Sequence, residues 1–550
     1  MTRFNRPASR LSSASLLSVA AAAALLLTAC GGPAPGSGAV PADSAGAAPA
    51  AGVGTNAFGG QQLEVGTPTD GGTLRFGIST AIETLDNANP IGSSIATVTF
   101  QIYDQLLKFD AEGKVVPELA ESMTSKDLKT WTMKLPAGVK FHDGTDFNAE
   151  AVIANVKRIA AQGSKSLQSG DARRITKMEA PDAQTVVFTV DKEWATFDAL
   201  FATGSTAMVA SPTAVAKAGE KFGLAPVGVG PFKVASFSPG GEVKLEKFAD
   251  YRIKGSPHLD ALTFVPATEN AARLSAVGTG DLDAAATRVA AQFGEARNAG
   301  LTVLEQPQYK AYSVLLNLSD PVLADHRVRE ALNAGVDRNA LNAAVFGGKH
   351  QVMTGILNPT HPAYADSGWP AFDLEKAKAL VSAYEAEKGD INLDFQIPQG
   401  TEWSDMTAIL QQMYAAVGID IKYTAATPPS LVTAGAAGDY QVQLREPVIL
   451  PETIGGIATP FATGAPSNHA HGSDPALDAL LAKANATADP AERKALIADM
   501  QKELAAWLPT VPLVSTMSGF MVGEDVQGFP GSFPNTSYEM FDAREVWVKK

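Results

Sequence analysis

Between Thr130 and Ile159 the apolar residues change their period, and that change restricts the local fold more than any other feature of the chain. Trp131, Met133 and Leu135 alternate with Thr132 and Lys134, the spacing of a half-buried strand. Pro136-Ala-Gly138 and His142-Asp143-Gly144 supply turn chemistry on either side of a short extended run, Val139 to Phe141. Val152, Ile153, Val156 and Ile159 then recur at helical spacing, behind Asn148 as an N-cap and Glu150 in the first turn. Upstream, Tyr103 to Phe109 is an apolar-rich entry closed by the turn Asp110-Ala-Glu-Gly113. The block predicts an α+β module, and its periodicity alone says nothing about activity.

At 550 residues the chain is too long for one hydrophobic core, so two or three lobes are expected. Hydrophobic residues make up 45% and charged residues 19%, which suits a globular protein. The formal charge is -14 and no Lys/Arg-rich run follows the N-terminus, which argues against a nucleic-acid partner and mildly favours basic or zwitterionic ligands. Arg3, Arg6 and Arg10 precede the short apolar run Leu16 to Leu27, and Leu27-Thr28-Ala29 leads into Cys30, the only cysteine. This has the form of a bacterial lipobox, in which cleavage leaves Cys30 as a lipidated N-terminus. Residues 31–70, rich in Gly, Ala, Pro and Ser, are expected to be a disordered tether, with a reach of roughly 35 Å.

Further residues fall into recognisable phrases. Tyr103-Asp104-Gln-Leu106 is followed by Pro117-Glu-Leu119-Ala120-Glu-Ser122, Thr130-Trp131, Gly138-Val-Lys-Phe-His-Asp-Gly144 and Ala149 to Val152. Later come Gly228-Val-Gly230-Pro231-Phe232, Tyr251 with Gly255-Ser-Pro257-His-Leu259-Asp260, and Arg327-Val328-Arg329-Glu-Ala331-Leu332 before Val336-Asp337-Arg338. In this order and spacing they resemble bacterial extracellular solute-binding protein family 5, the peptide and nickel binders of ABC importers. Asp146 stands where a proline is common.

The resemblance implies an α/β, periplasmic-binding-protein-like two-lobed fold with an extra inserted α+β domain and a two-strand hinge. The implied organisation is a lipoprotein signal peptide at 1–30, the tether at 31–70, and the first lobe assembled from 71–96, 223–308 and 510–550. The inserted domain occupies 97–222 and the second lobe 309–509, with the hinge at Gln306 to Tyr312 and Leu508 to Val514. The implied function is a substrate-binding lipoprotein that captures small peptides between its lobes and delivers them to ABC permease subunits. It would be a monomer facing outward from the cell membrane through lipidated Cys30, without a cofactor. A receptor for a metal chelate of the nickel–histidine type or another non-peptide solute is the alternative. A secreted enzyme on a reused binding fold is a second, although no G-x-S-x-G elbow, P-loop or H-E-x-x-H is present.

In peptide-binding relatives an acid following the strand after the Gly-Ile-x-Ile segment pairs with the ligand's amino group. The corresponding region here is Tyr440 to Thr463, where Glu446 and Glu452 are the carboxylates. Arg445 either meets a ligand carboxylate or neutralises Glu446. Trp403, in the loop expected after a strand, is a candidate pocket wall, and Ser93 and Ser94 lie in a loop that lines the cleft in the family. His469 and His471 are the one close His pair, which in an extended loop would face the same side and offer two imidazoles to a metal. Trp131, Phe141 and His142 read as scaffold.

Overall fold

Two long antiparallel strands, Thr302–Leu316 and Thr510–Val522, run side by side from the pair Thr302 and Val522 to the pair Leu315 and Thr510. The computed structural model describes residues 52–89, 92–446, 453–465, 467–531 and 539–549, without the side chains of Ser93, Ala290 and Thr453. Among these residues the long strands lie near the middle of a ten-stranded sheet. On one side the order is Thr510–Val522, Ala284–Thr287, Thr73–Ile78, Ala261–Pro266, Val243–Lys247 and Phe232–Phe237. On the other it is Thr302–Leu316, Val442–Arg445, Ile391–Pro398 and Ile419–Ala426. Parallel pairs in both halves, joined through the antiparallel long strands, give the two-lobed α/β architecture that the resemblance implied.

The first lobe closes around Phe76, Phe264, Phe520, Phe529 and Phe541, all at most 1% exposed. Phe541 lies 4.8 Å from Phe76 and 4.7 Å from Phe529, ring centre to ring centre, so distant parts of the chain share one aromatic core. The second lobe packs Val328, Leu332, Leu393, Phe395, Leu410 and Tyr414 together. Its helices start and stop on local capping residues. Asp325, Asp337, Asp474 and Asp489 accept backbone hydrogen bonds as N-caps, and Gly347 ends a helix at φ 61°.

The opening block forms its own layer. Ser122–Ser125, Thr130–Lys134, Thr185–Val190 and Ile175–Asp182 make a four-stranded antiparallel sheet. Helix Ala149–Ala160 lays Val152, Ile153 and Val156 on it, and Asn148 caps that helix by accepting from Ala151 N at 3.0 Å. The block docks on the first lobe where two of the sequence phrases meet. His142 N donates to Gly228 O at 2.9 Å, and His142 Nε2 lies 3.0 Å from Gly230 O. Burial pushes the His142 imidazole down to about 4, so it is neutral scaffold.

Two sequence expectations need correction, and the long-strand crossing has a defined register. The proposed tether is folded in part: Val53–Thr55 pairs with Gln61–Leu63. Asn56 Oδ1 accepts from Phe58 N at 3.0 Å and Gly60 N at 2.9 Å to hold this turn, while its Nδ2 donates to Gln306 Oε1 at 3.0 Å. A weakly patterned segment is thus ordered by a partner strand 250 residues away. A helix begins at Thr401, directly after Gly400 at φ 132°, so Trp403 sits in its first turn instead of in the expected loop. At the crossing, residues Gln306 to Tyr312 face the stretch between Pro512 and Ser518.

The crossing is polar as well as buried. Gln306, Gln308, Lys310, Ser515, Thr516 and Ser518 are each at most 6% exposed. Gln308 Nε2 donates to Ser518 Oγ at 2.8 Å, and His350 Nδ1 lies 2.7 Å from Ser515 O. Burial pushes the Lys310 ammonium down to about 8, partly opposed by the nearby Glu446 carboxylate and reinforced by Arg288.

Gly228 and Gly230 are required by close approach. A Cβ on Gly228 would lie 2.2 Å from Ile102 O, and one on Gly230 would lie 2.6 Å from Ile102 C. Gly230→Ala is therefore expected to lower the unfolding free energy by roughly 1–3 kcal/mol, as overpacking does, measured by urea unfolding. Lys310 gives a pH-dependent counterpart. Between about 8, its value in the fold, and the ordinary 10.5, the unfolded chain holds a proton that the folded chain has released, so stability rises with pH in that window. Lys310→Met should be more stable than the parent at pH 7, by roughly 1–3 kcal/mol, with the difference shrinking as pH climbs to 10.5. A difference independent of pH in urea titrations would contradict this.

Candidate functional site

A cavity of about 640 Å³ lies between the opening block's continuation and the second lobe, within the range of small-molecule sites. One wall comes from Leu167 to Thr203. The other comes from Ser313, Leu315 and Thr510 on the long strands, Arg445-Glu446, helix Thr453–Phe461, and Ser467 to His469. Beside it the two walls touch, where Ala195 N donates to Asn485 O at 2.9 Å.

Arg445 is placed by the register that sets strand Val442–Arg445 against the long strand, with Ser313 opposite Arg445. Its Nε donates to Gln443 Oε1 at 2.8 Å and its Nη2 to Leu431 O at 2.9 Å. Both acceptors are neutral, and no described carboxylate forms an ion pair with it. Gly435 makes the room: a Cβ there would lie 2.2 Å from Arg445 Nη2 and 3.0 Å from His469 Nδ1. Burial lowers the guanidinium's proton affinity, so its charge is poorly solvated and would be stabilised by an incoming anion. Of the two roles expected for Arg445, neutralising Glu446 is not the one seen. Glu446 pairs with Arg288, at the end of strand Ala284–Thr287 in the other half of the sheet.

The remaining candidates divide. His469 lines the cavity, and burial followed by the Arg445 charge lowers its imidazole's affinity for a proton. His471 turns away through a left-handed backbone, φ 49°, and its Nε2 lies 2.7 Å from Gly435 O. The extended geometry needed for a paired imidazole site is therefore absent, and among the described residues no group of three or more His, Cys, Asp or Glu is placed to hold a metal. Trp403 stands edge-on to Tyr312 at 5.2 Å and packs on the second lobe's core, not on the cavity. Ser94 is buried; its Oγ donates to Glu539 Oε2 at 2.9 Å and accepts from Thr80 N at 3.0 Å. Glu452, Cys30 and the side chain of Ser93 lie outside the described residues.

Sequence reasoning missed the other wall. Asp171, Arg174 and Trp194 all line the cavity. The guanidinium of Arg174 lies over the Trp194 ring, 3.9 Å from its centre, and its Nε is 3.3 Å from Asp191 Oδ1. The available signal was Trp194 itself, an aromatic residue in the charged run Asp191-Lys-Glu. The cavity thus offers two guanidiniums, two carboxylates and a neutral-leaning imidazole, an arrangement suited to binding a zwitterion and devoid of an assembled nucleophile–base pair.

A second cavity, of about 350 Å³, is walled by Phe58, Phe100, Phe109 and Phe541. Its charges are already matched. Arg252 Nη2 lies 2.9 Å and Arg544 Nη1 2.6 Å from Glu118 Oε1, and Tyr251 OH donates to Asp104 Oδ1 at 3.0 Å. This is the chemistry of a structural junction.

Comparison with known proteins identifies the family. Residues 114–451 match the family described as bacterial extracellular solute-binding proteins, family 5 Middle. The glutathione-binding protein GsiB of Shigella flexneri is 31% identical over 483 residues, covering 84% of this chain and 92% of that protein. The structure of the ABC transporter substrate-binding protein CtaP of Listeria monocytogenes superposes with a TM-score of 0.78 at 22% identity, covering 88% of this chain and all of that one (100%). AgaA from A. tumefacien R10, solved with agropinic acid, gives a TM-score of 0.75 at 25% identity over 87% of this chain and 99% of its own. Among the described residues no helix is long and apolar enough to cross a membrane. The chain belongs to family 5 of the bacterial extracellular solute-binding proteins, and it is the substrate-binding component of an ABC importer and not an enzyme.

Proposed function

We propose that the protein captures a small zwitterionic peptide, of the glutathione class, in the 640 Å³ cavity and presents it to a membrane permease. The observation that carries this reading is Arg445: a half-buried guanidinium at the cavity wall, bonded among the described residues only to neutral acceptors and so placed to take a ligand carboxylate. Relatives named for binding glutathione, a tripeptide bearing two carboxylates and one ammonium, support the same ligand chemistry. Trp403 and Ser94 recede as ligand contacts in this reading, while Glu446 helps to set the field around the cavity through its pair with Arg288. Lipidation of Cys30 would tether the body to the membrane.

Isothermal titration of the ligand-free protein against reduced glutathione, trialanine, agropinic acid and nickel–histidine tests the assignment. The expected result is saturable binding of a peptide that is lost on amidating its carboxylates, and a fall in affinity of about ten- to a hundredfold in Arg445→Gln. Binding of nickel–histidine or agropinic acid alone would place the protein with the non-peptide receptors. Peptide affinity unchanged in Arg445→Gln would move the carboxylate site elsewhere.

A further inference from the structure

We propose that the short helix Ser169–Ala172, which leads into strand Ile175–Asp182, supplies the group that recognises the ligand's ammonium: the carboxylate of Asp171, beside Trp194 as an aromatic wall. The inference rests on the peptide reading above and adds the second pole of the site.

Asp171 lines the cavity, and its side chain is 52% exposed to solvent. Its carboxylate accepts no hydrogen bond from the described residues, and the nearest cation, Arg174, is at 4.0 Å. That cation is already engaged, lying 3.3 Å from Asp191 and stacked on Trp194. Crowding by the surrounding protein raises the proton affinity of the Asp171 carboxyl, the direction expected of an anion short of compensating partners. Glu446, the other carboxylate in the cavity, has Arg288 against it.

The wall carrying Asp171 is held in place from behind. Gln168 Oε1 accepts from Thr206 N at 2.9 Å, and Gln168 Nε2 donates to Thr203 O at 3.0 Å. Ser166 Oγ donates to Ser205 Oγ at 2.8 Å, and Trp194 N donates to Leu128 O at 2.9 Å. Trp194 lines the same cavity. A ligand with its carboxylate on Arg445 and its ammonium on Asp171 would bridge the two walls. Its binding free energy would then favour the closed arrangement, in which Ala195 meets Asn485.

The test compares reduced glutathione and trialanine with their N-acetylated forms, titrated into the parent protein, Asp171→Asn, Glu446→Gln and Glu452→Gln. The parent should prefer a free-amine peptide over its acetylated form by about tenfold or more, and Asp171→Asn should abolish that preference while leaving affinity for the acetylated form unchanged. Ligand-free thermal unfolding of Asp171→Asn should match the parent. Loss of the preference in Glu446→Gln or Glu452→Gln but not in Asp171→Asn would overturn this proposal and leave the peptide reading intact. Equal weakening for both forms would reduce Asp171 to a structural role, which also overturns it. No binding of either peptide to the parent would overturn both readings together.

Discussion

The pairing of Thr302–Leu316 with Thr510–Val522 is the constraint on which the rest of the molecule depends. Each strand is long enough to belong to both lobes, so one sheet extends through the protein instead of two sheets joined by a linker. The register that follows sets Ser313 opposite Arg445, and so brings a guanidinium to the cavity wall. It also sets Thr287 opposite Gly519, which leaves Arg288 able to reach Glu446 from the other half of the sheet. Buried amides and hydroxyls fill the crossing. Such groups need defined partners, so they favour a small number of discrete arrangements over a continuous bend.

The second element of the account is the layer built from the opening block. Its own core, with Trp131, Phe141, Phe188 and Phe201 buried, makes it rigid, and the glycine-dependent contact at Gly228 and Gly230 fixes it to the first lobe. From there it extends to the second lobe and closes over the cavity with Trp194 and Asp171. The site is electrostatically mixed. Opposed charges in a partly desolvated space suit a ligand that carries both signs, and they would be poorly satisfied by a neutral one.

Much of this was legible in the sequence where the physics is local. The alternation at Trp131 and Met133, the caps at Asn148, Asp325, Asp337, Asp474 and Asp489, and the αL stop at Gly347 all follow from neighbours a few residues away. The fold was legible because those local signals came in an order characteristic of one family. The candidate site was less so. Arg445 and His469 were singled out and do line the cavity, but Glu446's partner is 158 residues distant and no local pattern announces it. Trp403 looked like a loop aromatic because Thr401 to Asp405 is polar, yet Glu402 is drawn inward by a hydrogen bond from Tyr312, ninety residues earlier, and the segment becomes helix. The hairpin at 53–63 was hidden for the same reason, its order coming from Gln306. Asp171 was passed over because an isolated acid carries no signal until the fold places it in a cavity.

The central claim is that the ligand lies between these two walls with a carboxylate on Arg445. A crystal structure of the protein grown with the tightest-binding free-amine peptide tests it most directly. The account predicts ligand density in the cavity bounded by Trp194, Arg445 and His469, with a carboxylate within hydrogen-bonding distance of the Arg445 guanidinium. Density in the smaller cavity beside Phe100 and Phe541, or a ligand in the larger one that leaves Arg445 bonded only to Gln443 and Leu431, would contradict it.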